Sequence, residues 1–259
     1  MIRIALPSEM FYEAIRNPIL SAVLETQAKV CGEGIIRDFW LCTDEQGRLA
    51  GRICRKGTAF WGCCDNPSAV EEMAAFFRTM GGSCLEVDTE IGRALGSEKQ
   101  QNFPVLAARV VLCPSALRGA DIRIYPPGDP AWIKALIEIH RRCGLFARPQ
   151  ELDSLYSELH LRARRNAAAG ALLFDAQGEL ASCAAISALG ERTAMIGYVC
   201  TLPKKRGNRY ASHLVAELAR FSLSLGRLPA LSCQPELSPM YRKLGFMPTG
   251  DTLTILEAF

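Results

Sequence analysis

Met195-Ile196-Gly197-Tyr198-Val199-Cys200-Thr201-Leu202-Pro203-Lys204-Lys205-Arg206-Gly207-Asn208-Arg209-Tyr210-Ala211-Ser212 reads as a strand, a basic loop and the first turn of a helix. The apolar run to Thr201 suits a pleated strand, and Pro203 and Gly207 break it. From Tyr210 to Leu225, Leu214, Leu218, Phe221 and Leu225 recur at helical spacing. A helix start carries N–H groups without partners and the positive end of the helix dipole. With Lys204, Lys205 and Arg206 beside it, such a start is an anion site. The plainer alternative is a solvated basic loop.

Upstream, Leu172-Leu173-Phe174-Asp175-Ala176-Gln177-Gly178-Glu179-Leu180-Ala181-Ser182 has Asp and Gly between apolar runs, the chemistry of a β-hairpin, and a third strand follows over 192–201. Two helices are expected before it, Pro130 to Cys143 and Glu151 to Arg165, the first with Asp129 as N-cap and Pro130 in its first turn. Two helices, an antiparallel meander, then helix, strand, helix and strand make an α+β domain. The first half echoes it: Leu41-Cys42-Thr43-Asp44-Glu45-Gln46-Gly47-Arg48-Leu49-Ala50-Gly51 repeats the hairpin, Thr58 to Cys64 supplies a strand and Ser68 to Met80 an amphipathic helix. Gln46 and Gln177 lie 131 positions apart, whereas Phe77 and Phe221 lie 144 apart. About a dozen extra residues in the second half are therefore expected between third strand and helix, where the basic loop lies. Pro and Gly are dense between Cys113 and Gly128 and mark a boundary near residue 120, giving domains 1–120 and 121–259. The expected fold is a mixed, mostly antiparallel sheet flanked by helices, built twice in tandem.

Arg206-Gly207-Asn208-Arg209-Tyr210-Ala211 resembles the Q/R-x-x-G-x-G/A motif of the GNAT superfamily of acyl-CoA-dependent N-acyltransferases, with Arg209 where the middle Gly stands. Tyr241-Arg242-Lys243-Leu244-Gly245-Phe246 is similar to its second signature, Y-x-x-L-G-F, in the right order downstream. The resemblance covers roughly residues 170–250 and implies acetyl-CoA as donor without a metal. It implies that Val199, Cys200 and Thr201 offer backbone groups to the pantetheine arm and that Gly207, Asn208, Arg209, Tyr210, Ala211 and Ser212, with Arg206, cradle the pyrophosphate. Gln234 stands seven residues before Tyr241, where many members carry a pantetheine-binding Asn. Tyr241 is implied as the general acid that protonates the departing thiolate, a role suited to a phenol that is neutral at pH 7. The first half is then a degenerate copy without the cofactor loop.

A free alkylamine has a pKa of about 10.4, so a base is needed, and no unique residue is marked for it. Glu236 reads better as a solvated loop carboxylate, and His140, His160 and His213 as surface or capping residues. A net charge of +3 with 22% charged residues is too weak a bias to imply nucleic acid. No apolar run reaches the length of a spanning helix, and the N-terminus lacks a signal-peptide pattern. The 11 cysteines are scattered through apolar segments without C-x-x-C, so reduced thiols and a cytoplasmic location are expected. Cys63 and Cys64 should point to opposite faces of a strand. The partners expected are an unidentified amine acceptor, no membrane, and at most a second copy of the chain. Two functional classes stay open: an N-acetyltransferase of primary amines and a non-catalytic acyl-CoA-binding or regulatory protein.

Overall fold

The computed structural model describes residues 1–11, 15–32, 35–117, 119–146 and 148–259. The first half runs β1 (Ile2–Ile4), α1 (Pro18–Val30), β2 (Asp38–Thr43), β3 (Leu49–Lys56), β4 (Ala59–Cys64), α2 (Val70–Met80), β5 (Cys84–Asp88), α3 (Thr89–Leu95) and β6 (Gln100–Ala107). The second runs β7 (Asp121–Tyr125), α4 (Ile133–Arg142), α5 (Pro149–Arg164), β8 (Ala169–Phe174), β9 (Leu180–Leu189), β10 (Thr193–Thr201), α6 (Tyr210–Ser224), β11 (Leu228–Ser232), α7 (Ser238–Arg242) and β12 (Met247–Glu257).

These strands form one 12-stranded sheet in the order β1-β2-β3-β4-β5-β12-β6-β11-β10-β9-β8-β7. Pairing is antiparallel except at β4/β5 and β10/β11, which are parallel. The fold is therefore the expected α+β one. Exchanging every strand for its counterpart in the other half reverses the order and leaves it unchanged, so the sheet has a two-fold relation between β12 and β6. Each half also lends its last strand to the other: β12 lies between β5 and β6, and β6 between β12 and β11.

The echoed hairpins fold alike to the hydrogen bond. Asp44 Oδ1 accepts from the amides of Gln46 and Arg48 at 3.0 and 2.9 Å. Asp175 Oδ1 accepts from those of Gln177 and Glu179, both at 3.0 Å. Gly47 and Gly178 both hold φ 76°, the left-handed conformation that glycine adopts without strain. The extra residues of the second half are not gathered in one loop. β9 has 10 residues against 8 in β3, β10 has 9 against 6 in β4, and α6 has 15 against 11 in α2. The connections themselves, 65–69 and 202–209, differ by far less than expected.

Helix α4 starts at Ile133 because Asp129 spends its carboxylate on the Ala131 amide, 2.9 Å away, and closes a turn instead of capping the helix. Helix α1 has no counterpart in the sequence reading. It is buried along nearly its whole length, Ser21, Glu25, Thr26 and Gln27 included, so it shows no apolar stripe. Its start is conventional: Asn17 accepts from the Ile19 and Leu20 amides at 3.1 and 3.4 Å, with Pro18 following. Cys63 packs in the core around α1 and Cys64 against the core under α2, the opposite faces expected. All eleven cysteines are free.

Candidate functional site

β10 and β11 pair only where Thr193–Met195 meets Leu228–Ala230, then part company. The parting is helped by a bulge: the register of β10 on β9 shifts between Gly197 and Cys200, where Tyr198 holds φ 52°. Beside the splayed end of β10 lies a cavity of about 800 Å³. Val199, Cys200 and Thr201 form one wall, Met240, Tyr241 and Leu244 face them, and the first turn of α6 closes the end. Of the residues singled out in the sequence, Arg206, Gly207, Arg209, Tyr210, Ala211 and Ser212 also line it, whereas Asn208 and Gln234 do not. The Asn208 side-chain amide instead donates to the Lys205 carbonyl at 3.0 Å, and Gln234 is exposed.

The end wall is a row of unused donors. The His213 amide donates to the Arg209 carbonyl at 3.1 Å, which leaves the amides of Tyr210, Ala211 and Ser212 ahead of the helical ladder. Among the described residues the amides of Gly207, Asn208 and Arg209 have no acceptor either, and no side chain caps the helix. Gly207 at φ 83° turns the chain so that these groups converge. Arg209, where the family motif has Gly, also holds a left-handed φ, 61°. The motif's Gly therefore answers a backbone requirement, and Arg209 meets it with strain.

Lys205, Arg206, Arg209 and Lys243 line the same cavity with no carboxylate among its lining residues. Lys205 is held by Asp175 and, at 2.9 Å, by Glu179, which ties the loop to the β8/β9 hairpin. Arg206 Nε donates to the Thr201 carbonyl at 3.3 Å, and Arg209 Nη1 to Ser115 Oγ at 2.6 Å. Cations are thus fixed around the amide row, an arrangement that takes a diphosphate. Lys243 lies two residues past Tyr241 within the second motif, so its place at this wall could have been read from that spacing.

Tyr241 is buried, and its ring stands edge-on to Phe246 at 6.3 Å between centroids. Burial pushes its phenol up to about 12, with the neighbouring Cys233 thiol adding to the rise. Ser182 Oγ donates to the Cys200 carbonyl at 2.8 Å, so Val199, freed by the bulge, has the backbone least committed to β9. His140 and His213 are not surface residues. His140 is buried, with Nδ1 2.9 Å from the Leu136 carbonyl and its ring edge-on to Tyr198. His213 is buried in α6 beside Arg209. Burial lowers the pKa of both. Glu236 is exposed, as expected of a solvated loop residue.

In the first half the cavity beside the start of α2, of about 890 Å³, is lined by Asp44, Glu45 and Glu72 with Arg48 as the one basic side chain among its lining residues. The Asp65 and Asn66 amides both donate to the Ala50 carbonyl, at 2.8 and 3.1 Å, and Asn66 Oδ1 takes the Ser68 amide at 3.1 Å. Asp88 Oδ2 accepts from the Cys64 amide at 2.8 Å and stitches the ends of β4 and β5 together. The Ala50 bond recurs in the second half, where the Leu202 amide donates to the Ala181 carbonyl at 3.0 Å; the halves differ beyond it, because α2 follows directly on the turn at 67–69, with Val70 donating to the Pro67 carbonyl, whereas residues 206–209 intervene before α6. Among the described residues no cluster of metal-ligating side chains occurs, and no helix is long and apolar enough to cross a membrane.

A parallel strand pair splayed by a bulge, opening onto the bare N-terminus of a helix, defines the class of fold as that of the GNAT acyltransferases, here in tandem. Residues 133–246 match the acetyltransferase (GNAT) family. Among solved structures, a GCN5-related N-acetyltransferase from Kribbella flavida is similar at 15% identity, covering 94% of this chain and 96% of that one, with a TM-score of 0.60. A tandem GNAT protein from the clavulanic acid biosynthesis pathway is similar at 15% identity, 98% and 92% coverage and a TM-score of 0.58. A GCN5-related N-acetyltransferase from Sphaerobacter thermophilus has 15% identity, 99% and 95% coverage and a TM-score of 0.57. At such identities these likenesses concern the fold. No curated protein sequence matches the chain.

Proposed function

We propose that the second half is an N-acetyltransferase that takes acetyl-CoA into the β10/β11 cleft and acetylates a primary amine. The observation that carries this reading is the run of unpartnered amides from Gly207 to Ser212, set among fixed cations and continuous with a cavity that ends on the Tyr241 phenol. The amides and Lys243 suit the diphosphate, and the apolar wall of Met240 and Leu244 beside Val199 suits a pantetheine arm. Bound there, acetyl-CoA would supply an activated thioester. The chain's part is to hold it, to polarise its carbonyl with the free backbone at Val199, and to deliver a proton from Tyr241 to the sulfur. A phenol whose pKa is raised to about 12 remains a proton donor throughout the physiological range. The free cysteines fit a reducing, cytoplasmic setting for the reaction.

Replacing Tyr241 with Phe tests the role of the hydroxyl. CoA release in the presence of amines should fall by about 10²–10⁴-fold while CoA affinity holds, since the ring and its packing on Phe246 remain. An unchanged rate would remove Tyr241 from the chemistry. Tight CoA binding with no release across a broad amine panel in the unaltered protein would point to a non-catalytic acyl-CoA binder instead.

A further inference from the structure

The two copies of the hairpin share their backbone but not their charges. Arg48 stands in the first where Glu179 stands in the second, at the offset of 131 that relates the two turns. Both turns close with the same backbone bond: the Asp44 amide donates to the Arg48 carbonyl and the Asp175 amide to the Glu179 carbonyl, each at 2.9 Å. In both, Oδ1 of the aspartate is spent on two turn amides. The second carboxylate oxygen is where the copies part. In the first half Asp44 Oδ2 accepts from Arg48 Nε at 2.8 Å, and Arg48 also reaches Gln46 Oε1 at 3.1 Å, so that hairpin settles its charges within itself. In the second half no such arginine is present, and Asp175 Oδ2 with Glu179 Oε2 takes Lys205 from the loop between β10 and α6.

That contact sits at the middle of the loop. Its root is held by the Leu202 amide on the Ala181 carbonyl at 3.0 Å, and its end by Arg209 on Ser115. Between them, among the described residues, Lys205 is the one side chain that reaches beyond the loop and the strand that feeds it. Arg206 turns back to the Thr201 carbonyl, and Asn208 donates to the Lys205 carbonyl at 3.0 Å. Asn208 thus hangs on the residue that Asp175 holds, and the row of amides from Gly207 to Ser212 begins between the two. A loop tied only at its ends would hold such amides in many orientations, and ordering them on binding would cost affinity.

Lys205 is a poor lure for an anion, because two carboxylates stand against its one positive charge. Its bond to Asp175 is not a solvated surface pair: 2% of the Asp175 side chain and 26% of Lys205 is exposed, against 71% for Arg48 on Asp44. Each holds the other in its charged form. The Lys205 hydrogen bond lowers the Asp175 carboxyl, and Asp175 and Glu179 raise the Lys205 ammonium. Removing these carboxylates makes the cavity wall more positive, which by charge alone strengthens the binding of an anion. Loss of an anchor weakens it, so the two effects have opposite signs.

We propose that Asp175, with Glu179, is a positioning residue for the acyl donor: through Lys205 it holds the loop so that the amides from Gly207 to Ser212 face the diphosphate before the cofactor arrives. This rests on the acyl-CoA reading of the cavity. Asp175 is not among the residues that line the cavity, whereas Lys205 is, so the aspartate acts through the lysine. The presence of Glu179 in place of a hairpin arginine leaves Asp175 Oδ2 for that purpose. In the first half α2 follows directly on the turn at 67–69, and the self-contained hairpin has no such loop to hold.

The test compares the unaltered protein with Glu179→Arg, which installs the charges of the first hairpin at an exposed position, and with the double variant Asp175→Asn, Glu179→Gln, which keeps an oxygen for the turn amides. Both make the wall more positive. In the cofactor-free protein, backbone ¹⁵N order parameters over residues 204–209 should fall in both. Calorimetry should find CoA bound about fivefold or more weakly in both, and KM for acetyl-CoA should rise by a like factor while kcat stays within about twofold. In a Lys205→Met background the double variant should cause no further loss, because the anchor is already gone. CoA affinity that holds or strengthens in either variant, as charge alone would give, overturns the proposal, and so does an equal loss with Lys205 absent. If the unaltered protein binds no CoA but the order parameters still fall, the acyl-CoA reading fails and the anchor stands.

Discussion

Arg209 holds a left-handed φ of 61° at the mouth of the cofactor cleft, a conformation that costs a side-chain-bearing residue about 1–2 kcal/mol. Its guanidinium meanwhile donates to Ser115 and adds a cation to the cavity. The two effects separate on replacement by Gly: the melting temperature should rise, and CoA should bind several-fold more weakly, which calorimetry on the same samples will register. A variant that loses stability would deny the strain. Asp88 offers a second residue-scale outcome. Burial lifts its carboxyl from 3.8 to about 7, so between those values the folded chain holds a proton that the unfolded chain has released. Stability from this group is therefore full below about pH 3.8 and is lost as pH rises to about 7. Denaturant titrations of Asp88→Asn should lack that decline, the difference from the unaltered protein growing by a few kcal/mol between pH 4 and 8 at about 1.4 kcal/mol per pKa unit.

The elements were legible wherever their causes are local. The hairpin turns follow from Asp and Gly three positions apart, and both copies make the same bonds, so the echo in the sequence was an echo in structure. The strand, basic loop and helix of 195–212 were legible for the same reason. Helix α1 was not, because a helix wrapped by sheet on several sides needs no polar face and leaves no period to read. The tightening of the second motif is also local: Gly245 holds φ 93°, and a Cβ there would stand 2.2 Å from the Val110 carbonyl oxygen. Gly245→Ala should therefore cost more than 2 kcal/mol, combining left-handed strain with a backbone clash, and should loosen Tyr241 on the preceding turn. Chemical denaturation will show it, and a loss under 1 kcal/mol would contradict the close approach.

At the scale of the molecule, each half's last strand completes the other, an arrangement that no single-sequence pattern announces because strand order depends on partners distant in the chain. Fragments 1–120 and 121–259 made separately should each expose the edge its exchanged strand would cover, and aggregate. Made together they should co-purify, and a soluble, cooperatively folding 121–259 alone would contradict the exchange. The division of labour has a sharper consequence. One half leaves the amides from Gly207 to Ser212 without acceptors among the described residues, whereas in the other α2 follows directly on the turn at 67–69, with Val70 donating to the Pro67 carbonyl, so there should be one cofactor site per chain. Calorimetric titration with CoA measures it most directly. The account predicts one equivalent bound per chain, abolished by Ser212→Glu at the α6 start and unaffected by Ser68→Glu at the α2 end of the first half. Two equivalents, none, or equal sensitivity to both substitutions would contradict it.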